Sequence, residues 1–338
     1  MARKRVRKKI QAAGKKPEKV KLDQMLKDLF SASHRVLVKL LNGLYDQDFR
    51  EEEVEVSLGA TEFITDSKAL GVIRADMFFE VRGTEKPVGF HVEFQTLNDG
   101  SMVIRMLQYG IHKAIEKRSN VKEVLVIPHQ KVIFLEKNEA VPDRLEALIV
   151  FPDGQEVNYQ VGVMKYWEYT GQDLLEKQLY PLLPLQLFSL RKELHKAYHA
   201  NDLETVGAFK ARIKELAREL SEASIDLQED HEIIGEDLHK ILVAINNLVE
   251  YLNRNYIHDD SLEEEVKQMT RTLYDPAVAA LAKAEGKAEG KAEGKAEGKA
   301  EAQLENAINL LDLLDDETIS TRLNLDLKTV QSLREQYS

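Results

Sequence analysis

The chain has 338 residues, which is enough for about two domains with buried cores. It contains no cysteine, which excludes disulfides, zinc–thiolate sites and thiol catalysis, and no apolar run approaches the length of a membrane span. The formal net charge is −11. Residues 1–21 carry ten Lys or Arg against a single Glu, so the remainder of the chain is strongly acidic. Any DNA contact must therefore come from local basic features.

Residues 1–21 combine many like charges with few apolar side chains. This composition predicts a disordered basic arm, which either holds phosphates as a flexible tether or is a solvated tail without a partner. The segment lacks the apolar centre of a signal peptide. Together with the absence of cysteine, this favours a cytoplasmic protein with no membrane partner.

Residues 22–45 place apolar side chains on a repeating helical face. The pattern predicts one helix, or a broken pair of helices, that ends near Asn42 and Gly43. The sequence VEVSL at residues 54–58 then predicts a first short strand.

The next two runs, within residues 74–95, alternate between two faces and are separated by the turn signal GTEKP at residues 83–87, so we expect a β-hairpin. One face is apolar: Ala75, Met77, Phe79 and Val81 in the first run, Phe90, Val92 and Phe94 in the second. The other face is mostly polar: it carries Arg74, Asp76 and Glu80 with the apolar Phe78, then His91, Glu93 and Gln95.

The register of this hairpin determines whether Asp76 meets Glu93. If Gly83 faces Val88, or Arg82 faces Pro87, the two carboxylates share a face within roughly 5–8 Å, whereas a slip of one residue separates them. Two carboxylates this close repel unless a positive group lies between them. A hard divalent cation such as Mg²⁺, which takes oxygen ligands, fits that position.

After the hairpin, residues 102–117 predict a helix with Val103, Met106, Leu107, Ile111, Ala114 and Ile115 facing inward. EVLVIP at residues 123–128 predicts a buried strand, and residues 131–136, 147–152 and 157–164 are further strand candidates. An opening helix followed by three strands, a helix and a strand is the restriction-endonuclease-like order. We therefore expect an α/β domain of that kind over residues 22–166.

The pattern becomes helical from about Trp167, so residues 167–280 predict an all-α domain of antiparallel helices that also supports homo-oligomer formation. Residues 281–302 contain a KAEG repeat, which predicts a marginally helical linker because glycine and like charges four residues apart both disfavour a helix. Residues 303–338 predict a small helix-turn-helix-like unit of three short helices, with joints at 318–320 and 324–326. Its last helix, at 327–336, is only weakly basic through Lys328 and Arg334, which favours protein association over DNA reading.

An Asp on one strand followed by Glu-x-Lys on the next is the signature of the PD-(D/E)xK nuclease superfamily, and Asp76 with Glu93-Phe94-Gln95 resembles it. Glutamine in place of lysine resembles the recombination-promoting nuclease (putative transposase) family within that superfamily. Further similarities lie in Arg74, in Arg105 and Tyr109 on the following helix, and in the sequences DQMLKDLF at 23–30 and YPLLPL at 180–185.

This resemblance implies an endonuclease that uses Mg²⁺ or Mn²⁺ to hydrolyse DNA. Asp76, Glu93 and the backbone carbonyl of Phe94 would hold the metal, and Gln95 would orient the attacking water without supplying the positive charge of a lysine. Arg105 and Tyr109 would contact phosphate or brace the site, with Arg74 in support. The first helix of the superfamily can supply a further acidic ligand, for which Asp23 and Asp28 are available.

Each of these assignments has a structural alternative. An Asp near a helix N-terminus is commonly a capping residue, a Tyr and Arg on one helix face are commonly a packed ring and a surface cation, and His91 is more often a hydrogen-bonded neighbour than a base. For the whole chain, the alternative is an inactive nuclease fold that serves as an oligomeric DNA-binding or protein-interaction scaffold. Placement of Asp76 and Glu93 on opposite faces would favour that scaffold.

Overall fold

The computed structural model describes residues 22–59, 74–98, 100–116, 124–273, 303, 306–311, 314–323 and 325–337. The predicted basic arm at 1–21 and the KAEG linker at 281–302 lie outside the described residues. The chain divides into two compact units, Met1–Ala279 and Ala280–Ser338.

The first unit contains a mixed six-stranded sheet in the order β1-β2-β3-β4-β6-β5. Its strands are β1 (Glu55–Leu58), β2 (Arg74–Arg82), β3 (Val88–Gln95), β4 (His129–Phe134), β5 (Arg144–Val150) and β6 (Glu156–Lys165). Strand β4 pairs in parallel with β3 and with β6, and the other pairs are antiparallel. An α/β region followed by helices is therefore confirmed.

The helices cover the two faces of this sheet. They are α1 (Leu22–Phe30), α2 (His34–Tyr45), α3 (Met102–Glu116), α4 (Gly171–Glu176), α5 (Leu185–Ser189), α6 (Arg191–His199), α7 (Leu203–Glu229), α8 (Gly235–Leu252) and α9 (Leu262–Leu273). The apolar face of the hairpin packs on α1 and α2, where the Phe30 ring meets the Phe94 ring edge-on at 5.2 Å, and this core continues into α4–α9. The polar face of the hairpin is covered by α3, whose Met102 and Met106 pack on Phe78 and neighbouring strands.

The predicted helical stripes after the sheet are largely confirmed. On α7, Phe209, Ile213 and Leu220 are buried, and α8 buries its stripe from Leu238 to Leu252. The YPLLPL sequence forms a short 3₁₀ helix, Tyr180–Leu182, and the start of α5, and every one of its residues is buried. This motif therefore belongs to the core that joins the sheet to the helices.

The structure corrects the strand predicted at 123–128. Residues 124–128 form no strand, and the side chains of Val124, Leu125 and Val126 are 51%, 49% and 68% exposed. Strand pairing begins at His129 opposite Phe90. Pro128, which has no N–H to donate to a strand ladder, directly precedes that point and lies close to Gly89.

The predicted inward face of α3 was also partly wrong. Ile111 and Ile115 are 37% and 44% exposed, whereas Met102, Met106 and Tyr109 are buried. The helix is rotated relative to the prediction, because Met102 and the residues four and seven positions after it, rather than the isoleucines, pack against the sheet. An apolar stripe of α3 is consequently left on the surface.

The second unit has helical residues at 306–310, α10 (Asp316–Leu323) and α11 (Leu327–Tyr337). The predicted joint at 318–320 was wrong, because Ile319 is buried in the middle of α10, whereas the joint around 324–326 is confirmed. Arg334 of α11 donates to the Asp316 carboxylate at 2.7 Å and to the carbonyls of Leu311 and Leu314. These bonds hold the Arg334 guanidinium against residues of the same unit.

Candidate functional site

The hairpin adopts one of the two registers that would bring Asp76 and Glu93 to the same face. Val81 stands opposite Val88, Asp76 opposite Glu93 and Arg74 opposite Gln95. Gly83 makes the turn possible by adopting φ +97°, a conformation that residues other than glycine rarely adopt. Directly opposed residues have Cβ atoms about 4.5–5.5 Å apart, so Asp76 and Glu93 occupy neighbouring positions on one face. The side chains of residues 74–76 lie outside the described set.

Glu93 and Gln95 are fully buried, which is unusual for such polar side chains. The Gln95 Nε2 donates to Glu93 Oε1. Among the residues that the structure describes, the second oxygen of Glu93, Oε2, and the amide oxygen of Gln95, Oε1, have no hydrogen-bond partner. Two buried oxygens with unused lone pairs therefore lie on the face that also carries Asp76, and burial of such atoms without a partner is costly.

A hydrogen-bond network centred on Gln130 lies beside this site, below α3. The Gln130 Nε2 donates to the Met106 carbonyl at 2.7 Å and lies 3.0 Å from the His91 Nδ1, and the Tyr159 hydroxyl donates to the Gln130 Oε1. Because both Gln130 hydrogens are used as donors, His91 Nδ1 accepts and the ring proton is on Nε2. Gln130 therefore joins β3, β4, β6 and α3 in one network.

His91 is neutral in this network. Its ring stacks on Phe78 at a centroid distance of 4.0 Å and meets the Tyr109 ring edge-on at 5.8 Å. Burial lowers the pKa of His91 from 6.5 to about 3. His91 is thus a packed neutral imidazole that is hydrogen-bonded to Gln130, which agrees with the alternative that the sequence left open.

Stability is expected to fall more steeply with decreasing pH in the wild type than in His91→Gln. The unfolded chain binds a proton at His91 below about pH 6.5 that the folded protein excludes down to about pH 3. Its stabilising contribution is complete above that range and is lost as the pH falls, at about 1.4 kcal/mol per unit. Denaturant unfolding at pH 7 and pH 5 should show an extra loss of about 2 kcal/mol in the wild type. Equal losses would contradict a buried neutral imidazole.

Helix α3 brings the other predicted side chains over the same face. Tyr109 is 8% exposed and belongs to the cluster that packs on Phe78. Arg105, one turn earlier, is half-buried and has its Nη2 3.3 Å from the Met102 sulfur. The Lys113 Nζ lies 5.3 Å from the centre of the Phe78 ring. The face that carries Asp76 and Glu93 is therefore covered by a helix with cationic side chains.

The remaining predicted residues lie differently. The Phe94 side chain points into the opposite core, against Phe30, so it takes no part in the site. Helix α1 packs on that same opposite face, through Met25, Leu26 and Leu29. The side chain of Asp23 lies outside the described residues, and Asp28 is exposed and accepts a hydrogen bond from Gln24 at 2.9 Å.

The residues present suit a hard divalent cation. Such ions take carboxylate and amide oxygens, and Glu93 Oε2 and Gln95 Oε1 are buried oxygens of these two kinds without another partner. Within the described part of the chain, no three His, Asp or Glu side chains are grouped so as to hold a metal ion. A metal site at this position therefore needs Asp76.

Sequence analysis did not identify Gln130 or Tyr159. Both belong to alternating strand segments, but the misplaced strand at 123–128 left Gln130 in an expected loop. Had the strand been started after Pro128, alternation would have put Gln130 beside His91, its partner in the parallel pair. Pro128 was the signal in the sequence for a later strand start, because proline is rarely found inside a strand.

Searches against known protein families, curated proteins and solved structures found no match to this chain. In the residues that the structure describes, no helix is sufficiently long and apolar to cross a membrane.

Proposed function

We propose that this chain is a metal-dependent DNA endonuclease with a restriction-endonuclease-like fold, of the recombination-promoting type that its motifs resemble. The observation that carries the proposal is the pairing of Asp76 with Glu93 beside two fully buried oxygens that lack partners. The order of elements, with antiparallel β1–β3, then α3, then the parallel strand β4, supports it.

In this proposal Asp76, Glu93 and the Phe94 carbonyl would hold Mg²⁺ or Mn²⁺. A bound divalent cation supplies Lewis-acid chemistry, because it lowers the pKa of water and neutralises charge on the scissile phosphate. Gln95 fixes the Glu93 carboxylate through its Nε2, which leaves its Oε1 to accept a hydrogen bond from the attacking water. Gln95 has no positive charge to offer the phosphate, so slower cleavage than with lysine is expected.

DNA would be held by local basic groups, since the chain after residue 21 is acidic. Arg105 and Lys113 lie on α3, the helix that covers the polar face of the hairpin. The basic arm at 1–21 supplies a further phosphate tether. Phosphate contacts of this kind position the nucleic acid without reading its sequence.

A supercoiled-plasmid assay tests the proposal. The wild type should nick or linearise the plasmid with Mg²⁺ or Mn²⁺ and leave it intact in EDTA, and Asp76→Asn should lose this activity. Asp48→Asn, which removes the same charge from an exposed residue, should retain it. If the wild type cuts neither double- nor single-stranded DNA with either metal, the proposal fails and the oligomeric DNA-binding or protein-interaction scaffold replaces it.

A further inference from the structure

A groove of about 860 Å³ lies within the helical region, apart from the hairpin. It is formed by the end of α6, the start of α7, the π-helical segment Asn253–Ile257 and the start of α9. Its volume falls within the range of about 300–1,000 Å³ that is typical of ligand pockets. The residues proposed for DNA cleavage take no part in it.

Aromatic rings form the walls of this groove. The Tyr198 ring meets the rings of Tyr256, His258 and His199 at centroid distances of 5.9, 5.8 and 5.5 Å and interplanar angles of 71°, 60° and 81°. These are edge-to-face contacts, in which neighbouring rings are steeply inclined to one another. The arrangement is that of an open aromatic corner.

The floor of the groove is held rigidly by the π-helical segment. Buried Asn253 donates to the Asp259 carbonyl at 2.9 Å and to the Glu263 carboxylate at 3.0 Å, and accepts from the Asp259 N–H at 3.0 Å. His258 and Asn201, both lining the groove, adopt left-handed φ values of 58° and 57°. Single π turns and left-handed residues other than glycine are costly and recur at functional sites, so the groove has the features of a preorganised site.

The charged lining is predominantly acidic. The carboxylates of Asp202, Asp260 and Glu263 line the groove with one guanidinium, that of Arg254, which is ion-paired with Glu250 at 2.5 Å and with Glu263 at 3.7 Å. Asp260 is exposed, whereas the Asp202 carboxylate caps α7 through the Thr205 N–H. Aromatic faces attract cations, and a nearby carboxylate adds to that attraction.

We propose that this groove binds an organic cation, an ammonium or guanidinium group, between the aromatic walls and the acidic rim. Such a group is carried either by a free polyamine or by a basic peptide. The groove is separate from the residues proposed for DNA cleavage, so cation binding can be tested independently of cleavage.

Isothermal titration of the full chain with spermidine and with tetralysine tests this inference and separates the two sources. At least one probe should bind at a single site, whereas tetralysine with acetylated side chains, which has lost its charge, should not bind. Tyr198→Leu, which keeps apolar volume but removes the ring, and Asp260→Asn should each weaken binding by at least about fivefold. The matched variants Tyr169→Leu, at a partly buried tyrosine outside the groove, and Asp48→Asn should change affinity by less than about twofold.

Three outcomes would overturn the proposal. One is that neither probe binds. Another is that Asp48→Asn weakens binding as much as Asp260→Asn, which would indicate nonspecific attraction to an acidic chain. The third is that neither groove variant changes the affinity. Asp260 is exposed, so its variant keeps the test valid even if Tyr198→Leu does not fold.

Discussion

Replacing Glu93 with glutamine is expected to stabilise the metal-free protein while abolishing metal-dependent cleavage. Glu93 is fully buried, and its Oε2 has no hydrogen-bond partner in the described part of the chain. A buried carboxylate that lacks a compensating partner destabilises the fold, and removal of its charge at constant volume should raise the free energy of unfolding by about 1–3 kcal/mol in EDTA. Loss of a group that acts directly on the reacting centre should lower cleavage by at least about 10²–10³-fold.

Denaturant unfolding with and without Mn²⁺ measures both sides of this effect. Metal should stabilise the wild type in proportion to its affinity and leave Glu93→Gln unchanged. Glu80→Gln is the matched control, since Glu80 lies on the same face of the hairpin and is ion-paired with Arg82 at 2.8 Å. This variant should keep both cleavage and the response to metal. A metal-free Glu93→Gln protein that is less stable than the wild type would show that the carboxylate has a structural role instead.

Gly43→Ala is expected to destabilise the protein, although alanine is the better helix former. Gly43 lies inside α2, which runs on to Tyr45. A Cβ there would lie 2.1 Å from the Lys177 carbonyl oxygen and 2.9 Å from a Leu179 methyl group, so backbone would have to move. Overpacking of this kind costs about 1–3 kcal/mol or more, which outweighs the helix-propensity gain of up to about 1 kcal/mol.

Gly207 of α7 provides the control for this prediction. A Cβ at Gly207 would meet nothing within 4 Å, so Gly207→Ala should raise the free energy of unfolding by about 0.5–1 kcal/mol. Chemical denaturation of the two variants compares them directly. Stabilisation by both substitutions would contradict the close approach of α2 to residues 177–179.

The hairpin could be predicted from sequence because two independent local signals agreed. Alternation showed which residues share a face, and the glycine-containing turn left two registers that put Asp76 on the face of Glu93. The structure adopts the one in which Asp76 lies directly opposite Glu93. The position of the acidic pair can thus be predicted from neighbouring residues in the sequence. Its burial cannot, because Glu93 and Gln95 are covered by α3, which follows them in the chain and packs back over the sheet.

Errors arose where neighbouring elements, and not local pattern, determine the structure. Residues 124–127 have the apolar composition of a buried strand, yet Pro128 and its contact with Gly89 delay pairing until His129. The glycine at position 43 resembled a helix end but is required by a packing contact with residues more than 130 positions away. The Gln130–Tyr159 hydrogen bond similarly joins two strands whose order in the sheet is not apparent from sequence.

Anomalous diffraction from crystals of the full chain soaked in Mn²⁺ tests most directly whether the paired acidic residues hold a metal. The predicted result is a peak between β2 and β3, within about 2.5 Å of the Glu93 Oε2, that disappears in Asp76→Ala. The absence of a peak at Glu93 in crystals that show manganese elsewhere, or a peak that persists in Asp76→Ala, would contradict it.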